Sequence, residues 1–181
     1  NFTTAQNKKL NTKDLYFEPT LSENNGRQVL SMKLKTSENT YLEYVYTLPK
    51  EGYMLDLVVR SQGLAGAVNT SKPMNFDWKL QARRMEKSVT YENRYTQAAI
   101  QYEGDRINRM SQAGNDEQKE EKVSWVAYKQ HLFTSVLISD NPFEKGDFVS
   151  HNIAMNEGKE VKYTKNFLTS LPVKAKSGEL S

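Results

Sequence analysis

The amino-acid sequence predicts an all-β protein with at most short helices. Three observations carry that prediction. Four runs alternate apolar and polar residues with a period of two, which places one set of side chains against a core and the other in water. Polar, Pro- or Gly-containing breaks separate these runs. The most apolar segment, residues 123–138, is rich in β-branched and aromatic residues that favour strands.

Leu30, Met32 and Leu34 alternate with Ser31, Lys33 and Lys35, and the polar turn Ser37-Glu38-Asn39-Thr40 ends the first run. Tyr44, Tyr46 and Leu48 alternate with Glu43, Val45 and Thr47 until Pro49-Lys50-Glu51-Gly52 breaks the second. Tyr53, Leu55, Leu57 and Val59 oppose Met54, Asp56, Val58 and Arg60 in the third, a natural hairpin partner for the second, so the three form a meander. After a small-residue loop over residues 63–71, Phe76, Trp78, Leu80 and Ala82 alternate with Asp77, Lys79 and Gln81, a strand with one wet face.

Residues 83–93 are dense in charge and fit either a short surface helix or a loop. Ala98, Ile100 and Tyr102 form a further strand, and residues 114–122 are too polar to bury anything and read as an exposed loop. In residues 123–138 a central strand or bulged strand pair is expected, with Val126, Tyr128, Leu132, Val136 and Ile138 facing inward. Trp125, Phe133 and Leu137 are apolar on the odd side, so either both faces are covered or a bulge near residues 129–131 switches the register. Either arrangement buries Trp125. Residues 1–181 are read as a single domain whose end, 172–181, is frayed, and there is no internal repeat.

Composition narrows the function. The 25 basic and 22 acidic residues leave a formal charge of +3, far from the concentrated positive field that nucleic acid requires. The same balance predicts weak, salt-sensitive binding to anionic lipid. Without cysteine there is no disulfide framework, thiolate zinc site or cysteine nucleophile. The longest apolar stretches, such as Val136-Leu137-Ile138, fall far short of the roughly 18 residues a membrane-spanning helix needs. The chain opens at Asn1-Phe2-Thr3 with neither initiator methionine nor signal segment, and reads as a piece of something longer.

Catalytic patterns are missing as well. His131 and His151 have no i, i+4 pairing, so no metal site is expected, and His131, inside an apolar segment, reads as a hydrogen-bonded structural histidine. No Gly-x-Ser-x-Gly elbow and no glycine-rich phosphate loop occurs. Asp116, Glu117, Glu120 and Glu121 share their stretch with Lys119 and Lys122, as a solvated surface does. No catalytic, cofactor-binding or metal-binding residue is nominated. The residues alone reach a β-rich binding or structural domain.

Residues 122–138 resemble the late periplasmic motif of YidC-type insertases, in which a Trp-Val-Ala core leads through a Gln-aromatic step into an apolar strand; Trp125, Val126, Ala127, Gln130 and Phe133 match it. Residues 39–48 followed by Gly52-Tyr53 resemble that family's earlier hairpin. The resemblance implies a β-supersandwich similar to galactose mutarotases, truncated at both ends so that sheet edges are open to pairing with another chain. It also implies a soluble, non-enzymatic part of a membrane-embedded insertase and chaperone, on the periplasmic side of the bacterial inner membrane. The implied partners are Sec translocon components of the SecDF and SecYEG type and nascent membrane proteins, with no cofactor. The alternative is a carbohydrate-binding or sugar-epimerase supersandwich domain, because fold alone separates neither. An epimerase requires a histidine in an open pocket beside a glutamate, and neither His131 nor His151 is expected there.

Overall fold

A computed structural model describes residues 1–69, 71–72, 74–153, 161–173, 175–176 and 179–180. In chain order its elements are β1 (Phe2–Thr3), β2 (Lys9–Leu10), β3 (Glu18–Asn24), β4 (Arg27–Ser37), β5 (Thr40–Leu48), β6 (Asp56–Gln62), β7 (Met74–Arg83), the helix α1 (Val89–Asn93), β8 (Gln97–Tyr102), β9 (Arg106–Arg109), β10 (Asp116–Lys129), β11 (Thr134–Asn152), β12 (Tyr163–Val173), β13 (Ala175–Lys176) and β14 (Glu179–Leu180). The protein is all-β, with antiparallel sheets and only short helical turns, as the alternation predicts. Residues 174, 177–178 and 181 of the expected frayed end lie outside the described residues; β13 and β14 occupy positions between them. The chain divides into two compact units, Asn1–Met74 with Val173–Ser181, and Asn75–Pro172.

The first unit is built on a six-stranded sheet of order β13-β14-β6-β5-β4-β3. Its register sets Leu30 across from Tyr46, Met32 from Tyr44 and Leu34 from Leu42, so the apolar stripes of the first two runs meet on one face. The β4–β5 turn falls at Glu38-Asn39, inside the predicted break. The third run is shorter than expected. Its first pair is Thr47 with Asp56, and Tyr53, Met54 and Leu55 are exposed. Pro49 lacks an N–H and Gly52 sits at φ 103°, a left-handed path that carries the chain out of the ladder before Asp56.

In the second unit the order is β7-β12-β11-β10-β8-β9. Its core gathers Ile100, Val123, Val126, Tyr128, Phe148, Phe167 and Leu171 from four strands, and Tyr128 lies stacked between Trp78 (ring centroids 4.1 Å apart) and Phe167 (4.9 Å). The Tyr128 hydroxyl donates to Thr169 Oγ1 at 2.5 Å, and burial pushes its proton affinity well above the ordinary tyrosine range. Residues 83–93, open in the sequence reading, contain α1, capped where Ser88 Oγ accepts the Tyr91 N–H.

Two expectations are corrected here. Residues 114–122 are no exposed loop: from Asp116 onward they form the first half of β10, paired with 145–150 of β11. Polar side chains satisfy one another along that strand. Asp116 accepts the Ser111 N–H at 2.6 Å, Glu120 accepts from Asn108 at 2.5 Å, and Gln118 donates to Asp116 at 2.8 Å. Composition measures what a segment can bury, whereas a ladder needs only backbone partners.

In residues 123–138 the hairpin is real but its inward face changes parity. The pairs Tyr128 with Ser135 and Ala127 with Val136 set residues of opposite parity beside each other, even against odd. Val126 and Tyr128 are buried as expected, while Leu132, Val136 and Ile138 are exposed, and so is Phe133. Trp125 is only partly buried. The irregularity sits between Val123 and Trp125 and not at residues 129–131, which lead into the turn. Opposite it, the β11 register jumps from Ile138 to Phe143 across Pro142, which has no N–H to give a ladder.

Candidate functional site

Three constellations in the second unit carry titratable groups. At the β10–β11 turn the Gln130 N–H donates to Phe133 O at 2.7 Å, which holds His131 at the tip. The buried Glu92 carboxylate of α1 accepts the Met85 N–H at 2.9 Å and that of Glu86 at 3.3 Å, fixing residues 85 and 86 against the helix. Tyr91 and Tyr95, four residues apart, share one side with rings 5.1 Å apart, and hydrogen bonding to Tyr95 raises the Tyr91 pKa. Tyr95 stacks on the His131 ring at 4.7 Å and Tyr91 meets it edge-on at 5.6 Å. His131 Nδ1 lies 2.9 Å from Glu86 Oε1. The hydrogen bond expected of His131 is thus present.

The second constellation crosses the wet face of β7, β12 and β11. Gln81 donates to Asn166 at 3.0 Å, and Asn166 pairs across the ladder with His151. Together with Lys79, Val149 and Leu168 these residues line a shallow groove. His151 Nε2 lies 4.0 Å from Glu117 on the neighbouring β10. Farther along the same face Lys119 meets Asp147 at 3.4 Å, and Ser170 donates to Asp77 at 2.7 Å.

Both histidines therefore lie beside a glutamate. Glu86 belongs to the stretch left open between helix and loop, and Glu117 to the presumed loop that is strand β10, so neither encounter had a local sequence signal. A paired imidazole and carboxylate is the geometry of a general base with its orienting group. At His131, however, two tyrosine rings occupy the ring's face and edge, and at His151 both partners are exposed.

Sequence reasoning missed the third group. Lys165 of β12 is fully buried, its ammonium donating to Thr96 O at 3.2 Å and Gln112 O at 2.9 Å. Burial pushes its pKa down to about 8, with Asp116 pulling the other way. It joins the loop before β10 to the start of β8. No group of three or more potential metal ligands occurs among the described residues.

The family model of the YidC periplasmic domain matches residues 1–179. The chain belongs to that family. The membrane protein insertase YidC of Bacteroides fragilis (strain ATCC 25285) is 34% identical over 143 residues, covering 77% of this chain and 23% of the relative. That of Porphyromonas gingivalis (strain W83) is 32% identical over 180 residues, covering 97% of this chain and 28% of the relative. The chain thus spans about a quarter of the length of the curated YidC relatives it matches. No solved structure matches it.

Proposed function

We propose that this chain is the non-enzymatic periplasmic interaction module of an inner-membrane protein insertase and chaperone, working with Sec translocon components and nascent membrane proteins. The observation that carries the reading is the family match along residues 1–179 to a YidC periplasmic domain. No helix among the described residues is long and apolar enough to cross a membrane, so the proposal assigns anchoring and insertion to other parts of the longer protein. The two tyrosines around His131 support a structural use of the most suggestive acid–base pair. In-cell photo-crosslinking from exposed positions of the full-length protein tests the partners. Adducts to SecDF- or SecYEG-type subunits or to nascent membrane proteins are expected; crosslinks to neither class, at any position, would sink the reading.

One observation favours a second reading. His151 opens onto a groove with Glu117 4.0 Å away, as a sugar epimerase requires. Aldose mutarotation that disappears in His151→Ala would establish that reading over the first.

A further inference from the structure

We infer that the end of the second unit formed by the β10–β11 turn and α1 docks on an anionic lipid surface. Single exposed apolar residues are ordinary. Here they are joined. Leu132 and Phe133, 62% and 61% exposed, follow His131 directly, and His131 touches both Tyr91 and Tyr95, themselves solvent-facing. Met85, also exposed, is tied to the same helix through Glu92.

Charge identifies the occupant. Around this end stand Arg83, Arg84, Lys87, Arg94 and Lys129 against Glu86 and Glu92, an excess of three positive charges that equals the formal excess of the whole chain. Glu92 is buried with its oxygens turned to backbone N–H groups, and the Arg84 guanidinium donates to the Glu86 and Lys87 carbonyls, so neither adds to the outward field; Arg83, Lys87, Arg94 and Lys129 against Glu86 still leave an excess of three. Aliphatic tips, tyrosines with one wet end and flanking Arg and Lys are the composition that settles at a bilayer interface, where each basic residue also gains from anionic headgroups. An apolar polypeptide would use the aliphatic and aromatic groups but give the concentrated charge nothing to do. The inference goes beyond the proposed function and uses it only for the presence of a membrane.

The test uses the chain as it stands, whose lack of cysteine permits clean labelling. An environment-sensitive dye on Phe133→Cys should brighten and shift to the blue with phosphatidylcholine–phosphatidylglycerol vesicles, and much less with phosphatidylcholine alone. The same dye on Lys79→Cys, in the groove on the wet face, should not respond. Replacing Lys87, Arg94 and Lys129 by Gln should weaken vesicle binding roughly fivefold per residue. Leu132→Ser with Phe133→Ser should weaken it roughly tenfold at a fixed salt concentration. Every substituted side chain is at least partly exposed, so unchanged melting certifies the fold. An unresponsive dye at 133, equal responses at 133 and 79, or a response to an apolar peptide but not to vesicles would overturn the inference. Vesicle binding reads this surface alone and crosslinking in cells reads the Sec partnership, so either fails without the other.

Discussion

Both units present a six-stranded antiparallel sheet, yet they bury very different amounts of side chain. In the first, only Leu42 and Glu43 are buried among the described residues, and the stripe of Leu30, Met32, Leu34, Tyr44 and Tyr46 is half-covered. The second contains the whole hydrophobic cluster, including Tyr128, Phe148, Phe167 and Leu171. Regular alternation is clearest in the first unit and most broken in the second. Period-two patterning thus specifies register, through which residues oppose each other, whereas depth of burial follows from large side chains converging from several strands.

The largest effect that would sharpen this contrast is at Tyr128. Tyr128→Ala removes a ring stacked on two others and leaves Thr169 without its donor, and should cost about 3 to 5 kcal/mol in denaturant unfolding. Leu34→Ala in the first unit should cost less than half as much, because Leu34 retains contact with water in the folded state. Equal losses would break the comparison. Gly146 ranks next: an added Cβ would lie 2.5 Å from the buried Phe148 ring and 2.8 Å from Leu171, so Gly146→Ala should lose about 1 to 3 kcal/mol by overpacking.

Lys165 makes the second unit sensitive to pH. Its folded pKa, about 8, lies below the ordinary lysine value of 10.5, so between these values the unfolded chain binds more protons and stability rises with pH. The slope is at most about 1.4 kcal/mol per pH unit for one proton. Above about pH 10 the raised Tyr128 opposes this rise, since the unfolded tyrosine then ionises first. Melting followed from pH 7 to 10 should climb in the parent and lose that climb in Lys165→Met. A parent curve flat over this range would show that the lysine is better solvated than its burial indicates.

How much was legible follows from where the information lies. The β4–β5 hairpin, the wet face of β7 and the strand at Ala98 and Ile100 were readable because each depends on local alternation and turn chemistry. The β10–β11 hairpin was readable as strand but not as a face, because a turn shifts parity and the irregularity between Val123 and Trp125 shifts it again. The polar half of β10 was invisible, its reason for existing being a partner strand about thirty residues away in the chain. The same holds for the sites. Glu86 finds His131 across 45 residues and Lys165 finds Gln112 across 53, separations over which no spacing pattern operates.

The smallest predicted effect tests the first unit from within. Glu43 is buried on β5, where it accepts from Ser31 Oγ at 2.6 Å and lies 3.6 Å from the Lys33 ammonium on the neighbouring β4. A buried carboxylate in a tight core would lose several kcal/mol when its charge or partner is removed. Lys33 is itself substantially exposed, so water screens the pair and the hydrogen bond to Ser31 is the firmer contact. Glu43→Gln keeps an acceptor for Ser31 and removes only the charge, and should cost about 0.2 to 1 kcal/mol, shrinking further at high salt. Glu43→Leu removes the acceptor as well, and its additional cost isolates the hydrogen bond at about 1 kcal/mol. Should Glu43→Gln alone destabilise as strongly as Tyr128→Ala, the first unit would hold a polar core of its own, and the contrast between a sheet organised by register and one organised by packing would fail.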